Sequence, residues 1–170
     1  IADFDSDLLG NGSHADLKAI ALSSGRQIQG IDTRVTNYGC NSIGNILQHG
    51  VILEKATLTF NGIGHIIKGA KGADAQQESR VLMLSDQARS DANPILLIDE
   101  NDVTAGHAAS IGQVDPEDMY YLMSRGLDQA TAERLVVRGF LGSVIVEVPV
   151  KEVRVEMIET IDEILAKNKR

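Results

Sequence analysis

Four histidines and one cysteine are the side chains of this 170-residue chain best suited to metal or acid–base chemistry: His14, His49, His65, His107 and Cys40. No two histidines have the i, i+4 spacing that puts a zinc pair on one helix face, and none lies in a carboxylate-rich cluster. Each alone reads as a hydrogen-bonded or surface histidine. Cys40 follows Gly39 and has no flanking base or cation, so nothing nearby would turn its thiol into a reactive thiolate. Asp3, Asp5 and Asp7 open like a calcium loop. Leu8 then occupies the position of the turn glycine, and His14 that of the closing bidentate glutamate. Asp99, Glu100 and Asp102 surround Asn101 directly after an apolar run, which fits a tight turn better than a catalytic carboxylate pair. The chain has no G-x-S-x-G and no phosphate-binding G-x-x-x-x-G-K-[ST]. Gly62-x-Gly64 lacks the third glycine of a dinucleotide site. Motifs alone therefore describe a non-enzyme.

Composition sets the frame for those residues. Sixteen basic against 24 acidic side chains give a formal charge of −8, which repels phosphate backbones and anionic lipid and argues against nucleic-acid or membrane partners. At 43% hydrophobic and 24% charged the chain belongs to the globular class, and no run approaches the ~18 apolar residues of a membrane helix. A lone cysteine and the lack of a signal-like segment point to the cytoplasm; there the Asn11-Gly12-Ser13 glycosylation acceptor has no meaning. The start at Ile1, without an initiator methionine, suggests a piece of a longer protein.

Aromatic residues make up 4%, with no tryptophan and 16 glycines. Slim side chains of this kind suit thin, stacked layers, because strands in neighbouring rungs lie about 4.8 Å apart. From Ala15 to about Val114 the periodicity is two: Ile31, Thr33 and Val35 alternate with polar neighbours, as do Ala56, Leu58 and Phe60. Glycine- and asparagine-rich turns separate these segments. Val81–Leu84 and Ile95–Ile98 read as more fully buried strands. A sandwich, a barrel and a β-solenoid all fit such spacing; the composition favours an irregular solenoid. The hexapeptide and calcium-binding nonapeptide repeats of regular solenoids are missing.

At Asp115 the period changes. Asp115-Pro116-Glu117-Asp118 supplies an N-cap, a first-turn proline and two first-turn acids. Met119, Leu122 and Met123 follow on one face, and Gly126 reads as the stop. Asp128 restarts a helix expected to end at Gly139. Pro149 opens a third, striped by Val150, Val153, Met157, Ile161, Ile164 and Leu165 and closed by Lys167, Lys169 and Arg170. Residues 1–113 thus form a strand-built body and 114–170 a helical tail, too small for a large core of its own and expected to dock on something.

The stretch from Gln76 to Leu141 carries a family resemblance. Gln76-Gln77-Glu78-Ser79-Arg80, Leu82-Met83-Leu84-Ser85-Asp86, the Ala88–Pro94 loop, Val103-Thr104-Ala105-Gly106-His107-Ala108-Ala109-Ser110-Ile111-Gly112, and Tyr120–Leu127 with Gly139-Phe140-Leu141 resemble the SufB/SufD family of iron–sulfur cluster assembly proteins. The resemblance implies a right-handed parallel β-helix followed by a helical C-terminal domain. It also implies a non-catalytic scaffold subunit that pairs with SufB through the β-helix and docks the SufC ATPase through the helices. A SufB-type chain would have a cysteine fifteen residues before Pro94 and a glutamate after His107; this chain has Ser79 and Ala108, which places it on the SufD side. The resemblance makes His107 the cluster-assembly candidate at the interface, where a neutral imidazole could bind iron or carry a proton. Tyr121, Arg125, Gly139 and Phe140 become the SufC-docking candidates. No cofactor is expected on the chain alone, only a transient iron–sulfur cluster at a SufB–SufD interface, with a homodimer forming in isolation. Two rival readings are a β-helix enzyme such as an acyltransferase and a self-assembling structural solenoid.

Overall fold

The computed structural model describes residues 1–167. Eight strands come first: β1 (Ala2–Leu8), β2 (His14–Ser23), β3 (Ile28–Asn37), β4 (Ile43–Ile52), β5 (Thr57–Ile66), β6 (Asp74–Met83), β7 (Arg89–Ile98) and β8 (Thr104–Gln113). Three helices follow: α1 (Pro116–Ser124), α2 (Gln129–Ile145) and α3 (Lys151–Lys167). The odd strands form one sheet in the order β1-β3-β5-β7 and the even strands another, β2-β4-β6-β8. Every pairing is parallel. The chain thus switches sheet at each turn and returns to the first one rung higher. That alternation makes a β-solenoid of about four turns and distinguishes it from a sandwich. Ile28 pairs with Thr57, Ile43 with Asp74 and Thr57 with Arg89, so rungs vary in length and the sequence repeat stays inexact.

The two sheets are the walls of the coil, and alternate residues fill it. Leu58 and Phe60 of β5 meet Ile52, Val81, Ala21 and Ala88 in the largest interior cluster. Corners stack by backbone hydrogen bonds from one rung to the next: Gly12 N–H donates to Cys40 O, Asn41 N–H to Lys71 O, and Gly72 N–H to Asp102 O. Asn11-Gly12-Ser13 is such a corner, where the Asn11 carboxamide accepts from Cys40 N–H at 2.9 Å. The Asp99–Asp102 segment is another. The Glu100 carboxylate accepts from Gly69 N–H at 3.0 Å and Asn101 N–H at 2.8 Å, and these donors hold its pKa below the ordinary value. Asp3, Asp5 and Asp7 lie on β1 as an exposed polar strand face.

The tail docks on the coil itself. Val137, Leu141 and Ile145 of α2 and Ile161 of α3 pack on Val51 and Leu53, with Ile20, Leu22 and Leu82 around them. These strand residues belong to the outer face of the even sheet. The helix starts follow local chemistry: the Asp115 carboxylate caps Glu117 N–H at 2.8 Å, and Asp128 caps Thr131 N–H at 2.7 Å. Gly126, at φ 93°, ends α1.

Three expectations need correction. The second helix does not stop at Gly139. It continues to Ile145, because Leu141, Val144 and Ile145 are buried and that burial outweighs the roughly 1 kcal/mol helix penalty of a glycine. The Ile95–Ile98 run is not a buried strand: Ile95, Leu97 and Ile98 are each at least 40% exposed, because Ile95 and Leu97 point to the outer face of the odd sheet and Ile98 lies on its last rung. The front of the third-helix stripe is also open, with Val150 and Val153 exposed and Ile161 buried. Lys169 and Arg170 lie outside the described residues. Among those described, no helix is long and apolar enough to cross a membrane.

Candidate functional site: the open final rung

β8 is hydrogen-bonded to β6 on one side only, and among the described residues no strand covers its other edge. His107 is exposed at the middle of this strand, opposite Gln77 of β6. The pleat sets its direction. Gln77 is buried and donates through Nε2 to Ile95 O at 2.9 Å across the coil, so its register partner His107 belongs to the same interior-facing row. Gly106 beside it belongs to the outer row, where a Cβ would meet the Gln76 carboxamide. The imidazole therefore stands at the open end of the solenoid's inner channel, in the same inward-facing set as Leu96 and Ile98 of β7 and Ile111 of β8, whereas Ile95 and Leu97 point to the outer face of the odd sheet.

Behind it the interior is polar to a degree that the alternation did not suggest. Gln48 is fully buried. Its Nε2 donates to Thr33 Oγ1 at 3.1 Å, and its Oε1 accepts from Ser79 Oγ at 2.7 Å. Ser79, the position where the resemblance implies a thiol in SufB, here completes a hydrogen-bonded column. Such a column is stable only while each partner is present. Ser79→Ala should leave the Gln48 carbonyl unsatisfied and lower unfolding free energy by about 1–3 kcal/mol in a denaturant titration.

The other histidines take ordinary roles. His14 Nε2 lies 3.1 Å from Asp16 Oδ1, and His65 Nε2 lies 3.1 Å from Asp99 Oδ2, both at the surface. His49 is 5% exposed, stacked on Phe140 of α2 with centroids 4.8 Å apart, and its Nδ1 sits 3.3 Å from Phe140 O. Its Nε2 is buried without a hydrogen bond; Glu78, 3.9 Å away, is already held by Arg80. Burial lowers the His49 pKa below its ordinary 6.5, partly offset by the Phe140 carbonyl and Glu78. The unfolded chain therefore takes up this proton first, and stability is lost as pH falls below 6.5 toward the folded-state value. Thermal melts between about pH 7 and pH 5, above the carboxylate range, should show this slope, and it should flatten in His49→Gln.

The docking candidates are spread over the tail. Tyr121 of α1 and Arg125 at its C-cap are exposed one turn apart, with the guanidinium 5.1 Å from the ring centroid. Gly139 is exposed on α2, whereas Phe140 is half-buried and gives its ring to His49. Cys40 is half-buried, with its thiol 3.4 Å from Gly69 O at a corner. Among the described residues no three histidine, cysteine or acidic side chains converge as a metal site.

A match to the family described as "SUF system FeS cluster assembly, SufBD core domain" covers residues 1–140. The chain belongs to the SufBD family. The iron–sulfur cluster assembly protein SufD of Bacillus subtilis is 51% identical over 162 residues, which is 95% of this chain and 37% of that protein. The Mycobacterium tuberculosis SufBD family proteins Rv1461 and Rv1462 are 31% and 44% identical, over 82% and 55% of this chain and 17% and 24% of their own lengths. The chain thus spans well under half of the curated SufBD relatives it matches. Within the family it is SufD-like, in keeping with Ser79 and Ala108.

Proposed function

We propose that this chain is the pairing and docking part of a SufD-type scaffold subunit, non-catalytic and cytoplasmic, in the Suf machinery. Its open final rung pairs with SufB, and its helical tail docks the SufC ATPase. The observation that carries the reading is the β8 edge, uncovered among the described residues, with His107 facing the same way as exposed Ile98 and Ile111. A paired sister subunit would bury the inward-facing Leu96, Ile98 and Ile111 and bring His107 against its own last rung. A single imidazole supplies one nitrogen donor, so a nascent cluster at that seam would draw its thiolates from SufB. Iron and sulfide are cargo here. Tyr121, Arg125 and Gly139 offer exposed contacts for SufC, with Phe140 contributing only its outer edge. Without SufB, the same rung favours a homodimer.

The test combines pull-down and replacement. In a full-length SufD-type protein carrying His107→Ala, SufB and SufC binding should match wild type while cluster formation in cells falls at least tenfold. Normal cluster formation would make His107 a structural residue, and failure of the wild-type protein to retain SufC would refute the docking role.

A further inference from the structure

α1 is a nine-residue helix with no buried residue. Helices this short are marginal in water and normally owe their stability to packing of an apolar face. Here Met119 and Met123 of α1, with Met83 and Leu84 from the end of β6, floor a groove of about 480 Å³ between α1, the start of α2 and the turn after β6. Three of the protein's four methionines lie in it. Tyr120 stands beside them 76% exposed, and Met123 is 44% exposed. Methionine-rich apolar grooves adapt their shape to an inserted helix.

The rim specifies the charge of the occupant. Asp86 and Glu133 face the groove, and among the described residues no lysine or arginine lines it. Each accepts only from a neutral carboxamide, Asp86 from Gln113 at 2.6 Å and Glu133 from Gln129 at 2.9 Å. Among the described residues neither carboxylate is in an ion pair. The first-turn acids Glu117 and Asp118 lie exposed on α1 itself. The second apolar groove, between α2 and α3, is rimmed instead by Lys151 and Arg154, with Arg138 already paired to Asp162.

We infer that the α1 groove is a docking site for a cationic amphipathic helix of a partner protein, with apolar side chains on the methionines and lysine or arginine against Asp86 and Glu133. The inference does not depend on the SufC reading: SufC could bind elsewhere on the tail and this groove would still require its helix.

The test uses a fluorescein-labelled leucine/lysine amphipathic helical peptide and its leucine/glutamate counterpart, with anisotropy read on the full-length protein. The leucine/lysine peptide should bind and the leucine/glutamate peptide should not. Asp86→Lys/Glu133→Lys, at solvent-accessible side chains that hold one amide each, should weaken binding at least tenfold and flatten its salt dependence. Asp3→Lys/Asp5→Lys, on the exposed face of β1, should change it less than twofold. Equal losses in the two variants would mean bulk attraction to an acidic protein and would overturn the proposal. So would absent binding, binding insensitive to the groove variant, or preference for the glutamate peptide.

Discussion

Gly39→Ala is expected to prevent the solenoid from stacking normally, lowering unfolding free energy by about 3 kcal/mol or more. Gly39 is buried in the corner between β3 and β4, and its N–H donates to Leu8 O at 2.9 Å in the rung beneath. A Cβ at this position would overlap the Gly10 carbonyl and come within 2.8 Å of Asn11 N. All of these are backbone atoms. A flexible side chain could move aside; a corner pinned by Gly12 N–H to Cys40 O and by Cys40 N–H to the Asn11 carboxamide cannot do so without opening two rungs. Gly12→Ala is an informative comparison. It meets no atom within 4 Å but sits at φ 68°, so its cost should be the smaller one of left-handed backbone, about 1 kcal/mol. Guanidinium titrations of the two variants would rank them, and a Gly39→Ala protein as stable as wild type would show that the corners are looser than described.

Leu141→Asp is expected to release the tail while sparing the coil. Leu141 is fully buried between α2 and the outer face of the even sheet, in the cluster that includes Val51, Val137, Ile145 and Ile161. A carboxylate placed there has no cation in that cluster to pair with. Its desolvation, several kcal/mol, exceeds what the remaining apolar contacts and the Lys18–Glu147 ion pair at the end of α2 can hold. Limited proteolysis should cut within 114–170 at least tenfold faster, while β3–β6 amides keep their protection from hydrogen exchange. Loss of protection throughout would mean that coil and tail fold as a single cooperative unit.

Much of this architecture is legible in the sequence. The alternation of Ile31, Thr33 and Val35, and of Ala56, Leu58 and Phe60, gave strands with one covered face. Asp115, Pro116 and Gly126 marked α1, because caps and stops act through a few adjacent residues. What escaped depends on neighbours distant in sequence. Gly139 looked like a helix end because only the contacts of Leu141 and Ile145 with β4 show why the helix runs on. Ile95–Ile98 reads as buried because its composition is wholly apolar, and only the register of β7 on β5 shows that Ile95 and Leu97 face outward and that Ile98 has no rung above it. Gln48 and His49 are adjacent in sequence and point to opposite faces of β4, one into the polar column and one against Phe140. Counting by two from Ile46 to Ile52 would have placed Gln48 inside. No local signal could have paired His49 with α2.

His107 shows the same division. Its place on a strand could be read locally, and its candidacy came from family resemblance. Its placement at the mouth of the inner channel required the register of β8 on β6. The claim that matters most is that this open rung is where SufB binds. Hydrogen exchange of the full-length protein with and without SufB tests it directly. Amides across Thr104–Gln113, paired to β6 on one edge only, are expected to become at least tenfold slower to exchange when SufB is added. Unchanged exchange there, with SufB-dependent protection appearing on the outer face of either sheet or on the tail, would contradict it.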